Sequence, residues 1–83
     1  MNNTELLILN ICFKDFRKGD YSIDADDLLD ILGNACAEDE LELLKIIDNL
    51  WEENYLESSN GRYYLTDKSL KFLKENKYKN NSR

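Results

Sequence analysis

The side chains that most often perform catalysis or bind transition metals are scarce in this chain of 83 residues. It contains no histidine, and its two cysteines, Cys12 and Cys36, belong to no CxxC motif. This excludes zinc sites of the usual kind and argues against a disulfide framework. Cysteine outside such motifs behaves as a small apolar side chain, so we predict that both are buried.

Carboxylates are the remaining candidates for acid–base or metal chemistry. Asp26 and Asp27 are adjacent on a predicted helix, so their side chains diverge. Asp24, Asp26 and Asp30 could offer oxygen atoms to a hard cation, but the segment lacks the glycine and terminal glutamate of a calcium loop. We therefore predict a protein that is not an enzyme and has no catalytic residue, metal site or cofactor.

Charge divides the chain into two parts of opposite sign. The net charge is −6, but residues 1–57 carry fifteen acids and four bases, a net −11. Residues 58–83 carry two acids and seven bases, a net +5. The first part would attract a basic protein surface and the second an anionic partner such as nucleic acid.

The elements that must position these charges begin with an amphipathic helix from about residue 4 to residue 17. Asn3 or Thr4 would cap it and Gly19 would end it. Its apolar stripe comprises Leu6, Leu9, Phe13 and Phe16, with Leu7, Ile8, Ile11 and Cys12 beside it. The stripe is wider than one contact needs, so the helix either lies between two neighbours of its own domain or faces a partner chain.

Two further helices joined by a tight turn are predicted in the acidic part. A short extended piece at 21–23 leads to Asp24, which would cap the second helix, and Gly33 would end it. The inner face of this helix would comprise Leu28, Leu29, Ile31 and Leu32. The third helix would open at 38–40 and turn inward Leu41, Leu44, Ile47, Leu50 and Trp51, widened by Leu43 and Ile46. Two helices joined in this way are typical of a helix-turn-helix.

A β-hairpin is predicted around Asn60-Gly61, because a two-residue type I′ turn needs positive φ at both central positions. Counting outward pairs Ser59 with Arg62, Ser58 with Tyr63, Glu57 with Tyr64, and Leu56 with Leu65. This register places Leu56, Ser58, Tyr63 and Leu65 on the core face of the hairpin. Arg62 and Tyr64 would then face outward.

A fourth helix is predicted after the hairpin, capped by Thr66 with Asp67 in its first turn. Its apolar side chains are Leu70 and Leu73, flanked by Phe72, and its lysines are Lys68, Lys71, Lys74 and Lys77. Residues 1–77 would form one domain, followed by a flexible polar tail at 78–83. The start of the chain lacks a basic secretory signal and the apolar run 6–13 is too short to cross a bilayer, so we predict a cytoplasmic protein without membrane contact.

The predicted fold class is mainly α with a small antiparallel β-hairpin, in the order helix, short strand, helix, helix, strand, strand, helix. This order resembles the winged helix-turn-helix family. Residues 44–57 are similar to the end of the recognition helix and the first wing strand of MarR-like and PadR-like regulators, and residues 63–69 to the second wing strand and the following cap. The family often has glycine where the third helix meets the wing; Asn54 stands there in this chain and tolerates the same left-handed backbone.

The resemblance implies that the start of the third helix would enter the DNA major groove. Here that surface carries Glu38, Asp39, Glu40, Glu42 and Lys45, and its carboxylates would be repelled by a polyanion. We therefore predict a nucleic-acid-associated regulator that contacts duplex DNA through the wing and the last helix, with Arg62, Tyr64, Lys68, Lys71 and Lys74. A homodimer would raise the avidity of this weakly basic surface. Alternatively, these lysines simply form the solvent face of an amphipathic helix.

A second hypothesis makes the acidic part functional. The chain would then be an acidic winged-helix module that binds a basic protein surface through Glu38, Asp39, Glu40 and Glu42, such as a phage-type inhibitor or DNA mimic of the anti-CRISPR kind. The competing structural interpretation is a solvated helix start stabilised by the helix dipole.

Overall fold

The computed structural model describes residues 2–14, 20–35 and 39–81, with side chains described as far as Glu75. Within these residues, four helices and a small three-stranded antiparallel sheet follow the predicted order. The elements are α1 (Asn3–Lys14), β1 (Ser22–Asp24), α2 (Ala25–Ala35), α3 (Glu40–Glu52), β2 (Leu56–Ser59), β3 (Arg62–Leu65) and α4 (Asp67–Asn81).

Helix α1 begins with a reciprocal cap. The Glu5 N–H donates to Asn2 Oδ1 at 2.8 Å, and the Asn2 N–H donates to Glu5 Oε1 at 3.0 Å. The predicted cap at Asn3 or Thr4 was wrong, because the capping-box spacing runs from Asn2 to Glu5. The predicted end of this helix at 15–19 lies outside the described residues.

Helix α2 is capped by Asp24 as predicted, since its Oδ1 accepts the Asp26 N–H at 2.9 Å. Leu28 and Leu32 are buried, but Ile31 is 42% exposed and is not on the inner face. The helix does not end at Gly33; it continues to Ala35. Glycine often ends a helix because it has no Cβ, but it can also remain inside a helix at a cost of roughly 0.5–1 kcal/mol relative to alanine.

Helix α3 is capped by Asp39, whose Oδ1 accepts the Glu42 N–H at 2.9 Å. At the other end Asn54 has φ 65°, the Tyr55 N–H donates to the Leu50 carbonyl and the Asn54 N–H to the Trp51 carbonyl. This is a Schellman motif, and it confirms the predicted left-handed backbone at Asn54.

The face of α3 that packs on the core differs from the predicted one. Leu43, Ile47 and Leu50 are buried, whereas Leu41, Leu44 and Trp51 are exposed. Apolar side chains of α3 lie on most sides of the helix, so either of two overlapping stripes could have packed on the core. Contacts with α1, α2 and β2 select the stripe that contains Leu43.

The β-hairpin has the predicted register, from Ser59 opposite Arg62 to Leu56 opposite Leu65. Asn60 has φ 52° and Gly61 has φ 75°, as a type I′ turn requires. Strand β1 pairs along the other edge of β3, so the strand order is β1-β3-β2. The sequence predicted a short strand here without a pairing partner; the structure pairs it with β3 and so makes β3 the central strand.

The two faces of the hairpin are less distinct than predicted. Leu56 is buried and Tyr63 and Leu65 are half-buried, but Ser58 is exposed because it lies near the turn. Arg62 and Tyr64 are half-buried rather than freely outward. They sit between two strands, and β1 brings Ser22 beside this face.

Helix α4 begins at the predicted cap, where Thr66 Oγ1 accepts the Ser69 N–H at 3.2 Å. Leu73 is buried and Leu70 is half-buried. Helical backbone continues to Asn81, into the segment 78–83 for which the sequence predicted a flexible tail. All four helices and the sheet contribute to one core, which comprises Ile8, Leu9, Cys12, Ile23, Leu28, Leu32, Leu43, Ile47, Leu50, Leu56 and Leu73.

Candidate functional site

One side of α3 exposes several large apolar side chains. Leu41 is 72% exposed, Trp51 54% and Leu44 38%. Side chains turn by about 100° per residue along a helix, so positions separated by three, seven and ten residues lie on one side. These apolar side chains therefore form a second stripe on α3, beside the one formed by the buried Leu43, Ile47 and Leu50.

Charged side chains accompany this stripe. Asp48 and Glu52 lie along it and Glu40 and Glu42 at its start, all exposed, with Lys45 as the single base of the helix. We define the α3 outer face as Leu41, Leu44, Lys45, Asp48, Trp51 and Glu52. It combines exposed apolar groups with net negative charge.

The predicted acidic cluster is only partly available for binding. Glu40 and Glu42 are exposed, but the Asp39 carboxylate accepts the Glu42 N–H and caps the helix. Glu38 lies outside the described residues. Asp39 therefore stabilises the start of α3, which is the kind of structural role that the competing interpretation gives to the acidic cluster.

Lys68, a predicted DNA contact, instead joins the start of α4 to the end of α3. Its Nζ donates to the Glu53 carbonyl at 2.8 Å and lies 4.4 Å from the centroid of the Tyr55 ring. Carbonyl groups at the end of a helix lack partners within the helix, and a cation there is favourable.

Two hydroxyl groups complete the same junction. The Thr66 hydroxyl donates to the Asn54 carbonyl at 2.5 Å, and the Ser69 hydroxyl donates to the Tyr55 carbonyl. The residues that open α4 thus satisfy three successive carbonyl groups after α3. Lys68 belongs to this connection although its side chain is exposed.

Arg62 is also engaged within the fold. Its Nη2 and Nε donate to Ser22 Oγ at 3.0 and 3.3 Å, and the Ser22 hydroxyl donates to Asp20 Oδ1 at 2.5 Å. Ser22 is buried. The network holds the guanidinium against β1, which limits its reach towards a ligand.

Lys71 and Lys74, the other two lysines among the predicted DNA contacts, are exposed on the outer side of α4. Glu75 is exposed beside them and reduces the local positive charge. Tyr64 is half-buried on β3, opposite Glu57 and Ser22. The five predicted residues therefore differ in availability: two lysines project freely from the helix, whereas Arg62 and Lys68 bind backbone or side-chain groups.

The sequence predictions missed Leu41, Leu44 and Trp51 as surface residues because they were assigned to the core. One signal was available. Apolar residues at seven positions of a thirteen-residue helix exceed what one buried face needs. Such an excess indicates either a fully surrounded helix or a second apolar surface.

A shallow depression of about 310 Å³ lies at the hairpin turn. Its lining comprises Ala25, Ser58, Ser59, Asn60, Gly61, Arg62 and Tyr63. Arg62 is its single charged side chain and is held by Ser22. Burial, together with the Asp48 carboxylate, raises the pKa of the Tyr63 phenol above its ordinary value of 10.0.

Among the described residues, no three histidine, cysteine, aspartate or glutamate side chains are arranged to hold a metal ion. No helix in the described part of the chain has the length and apolar character needed to cross a membrane. Comparisons with known proteins found no matching family model, no matching curated protein and no matching solved structure.

Proposed function

We propose that this chain is a non-catalytic winged-helix protein whose α3 outer face binds another protein. The winged-helix assignment is supported by the order of the elements, by the tight hairpin and by the strand order β1-β3-β2. A cytoplasmic location belongs to the same proposal, because the cysteines show no disulfide pattern.

The observation that carries the proposal is the exposure of Leu41 and Trp51 on the helix that would enter DNA in a winged-helix regulator. Covering such side chains gains roughly 25 cal/mol per Å² of apolar surface, and tryptophan is enriched among the residues that dominate protein interfaces. Groove-reading helices instead need groups that contact phosphates and base edges. The carboxylates of this face would repel DNA.

A site-specific cross-linking experiment tests this function. A photo-reactive phenylalanine analogue at position 41 should form protein adducts in the cells that make the chain. The additional change Leu44→Gln should reduce these adducts severalfold, because it removes a neighbouring apolar contact. The same analogue at position 71 is the matched control on an exposed helix face. Nucleic-acid adducts at position 41, or no adducts that depend on Leu44, would contradict the proposal.

DNA association through α4 is the second candidate function, favoured by the exposure of Lys71 and Lys74 and by the net +5 of residues 58–83. Here Arg62 and Lys68 would contribute only from their bonded positions, and Tyr64 from a half-buried one.

Fluorescence anisotropy of a labelled duplex across about 50–200 mM salt tests this candidate. Lys71→Ala with Lys74→Ala should weaken binding and reduce the salt dependence, whereas Lys14→Ala with Lys45→Ala is the control with the same change in net charge. Absence of binding at the lowest salt would end this hypothesis.

A further inference from the structure

We infer that the partner of the α3 outer face is a cationic amphipathic helix of another protein. This inference rests on the proposed function, and it names the chemistry of the occupant. Three features of the face support it: its backbone groups are already bonded within the helix, its apolar stripe has the length of a short helix contact, and its charge is negative.

The face offers side chains only. The backbone N–H and C=O groups within α3 bond to each other along the helix, so an extended peptide lying across them would leave its own backbone groups without protein partners. A helical partner brings a backbone that is already satisfied. Helix against helix is therefore the packing that this surface accepts at least cost.

The stripe has the length of a short helix contact. Leu41 and Trp51 are ten residues apart in one helix, and at a rise of 1.5 Å per residue this separation corresponds to about 15 Å. A partner helix of about three turns would cover it, with apolar residues at i, i+3 or i+4, and i+7. Leu44 lies between the two ends and completes the apolar contact.

The charges determine which helix fits. Asp48 and Glu52 lie within the face and Glu40 at its edge, against the single base Lys45. Lysine or arginine flanking the apolar side chains of the partner would meet these carboxylates at the rim. A second copy docked by the same face would bring carboxylates against carboxylates, and a copy docked head to tail by its α4 lysines would form a ring or an open chain of molecules.

Trp51 is the only tryptophan of the chain, so its fluorescence reports directly on this face. The probe is a synthetic peptide of about 18 residues, built from leucine and lysine in amphipathic helical order. Its two controls are the same pattern with glutamate replacing lysine, and a scrambled peptide of identical leucine and lysine content. We expect the first peptide to shift the Trp51 emission to shorter wavelength and the controls to bind at least tenfold more weakly.

Variants connect the signal to the face. Leu41→Gln keeps helix propensity and removes an exposed apolar group, so the fold should persist while peptide affinity falls about tenfold; Leu44→Gln is the second variant if the first unfolds. Glu52→Lys should weaken binding severalfold. Glu57→Lys, which makes the same charge change on the exposed side of β2, should leave it unchanged.

Each result separates the inference from the proposed function. Equal binding of the scrambled or glutamate peptide, no shift at all, or indifference to Leu41→Gln would overturn the cationic helix as partner. If protein adducts still formed at position 41, the proposed function would stand with a different occupant. Concentration-dependent self-association that is lost in Lys71→Glu with Lys74→Glu would identify a second copy and overturn the inference.

Discussion

Replacing Lys68 should lower the stability of the fold, whereas replacing Lys71 should not. Both lysines are exposed and lie one turn apart on α4. The Lys68 ammonium bonds to the Glu53 carbonyl and lies over the Tyr55 ring. Within the described part of the chain, Lys71 has no such contact. Lys→Met at each position preserves helix propensity and most of the apolar stem.

The expected loss follows from three small contributions at Lys68. A typical hydrogen bond adds about 0.5–1.5 kcal/mol, an exposed cation–π contact about 0.5–1 kcal/mol and a cation at a helix C-terminus about 0.3–1 kcal/mol. These terms describe one ammonium and overlap, and holding the long side chain in place costs entropy. We therefore expect Lys68→Met to lower the free energy of unfolding by about 1 kcal/mol, or Tm by about 4–8 °C. Lys71→Met should change it by less than about 0.5 kcal/mol.

Urea unfolding followed by circular dichroism measures the difference. A double-mutant cycle with Tyr55→Leu should show about 0.5–1 kcal/mol of coupling to Lys68, because the ring supplies the π face. Equal effects of the two lysine substitutions would refute the structural role of Lys68. A loss of DNA affinity at Lys68 without any loss of stability would restore it as a phosphate contact.

Three further predictions concern the backbone and the pH response. Asn54→Gly should stabilise the fold by up to about 1 kcal/mol and Asn54→Ala should destabilise it by about 1 kcal/mol in urea unfolding, because this position has φ 65°. Gly33→Ala should stabilise the fold by about 0.5–1 kcal/mol, since nothing lies within 4 Å of the added methyl group. Gly61→Ala should destabilise the fold by about 1–2 kcal/mol, because this position has φ 75°. A lower Tm for Gly33→Ala than for Gly61→Ala would contradict both expectations. The Tyr63 phenol has its pKa raised in the folded state by burial and by Asp48, so stability should be complete below the ordinary pKa and fall as the pH rises past it. Tyr63→Phe should reduce that fall, as measured by unfolding at about pH 9 and pH 11.

The sequence by itself determined the features that depend on neighbours along the chain. The Asn60-Gly61 pair fixed the hairpin turn, and the turn fixed the pairing of β2 with β3. Asp24 and Thr66 cap their helices, and Asn54 takes the left-handed position after α3. Each of these depends on a side chain or φ angle within a few residues, so the residue type is sufficient information.

Only the tertiary structure decided which surfaces are buried and which cations are free. Two apolar stripes overlap on α3, and packing against the other elements buried Leu43 and left Leu41 exposed. Strand β1 reached β3 across the chain and brought Ser22 to Arg62, while the start of α4 brought Lys68 to the end of α3. Residues forty and fifteen positions apart make these contacts. The spacing of apolar residues along one element does not identify such partners, because the free energy that selects them comes from burial shared by several elements.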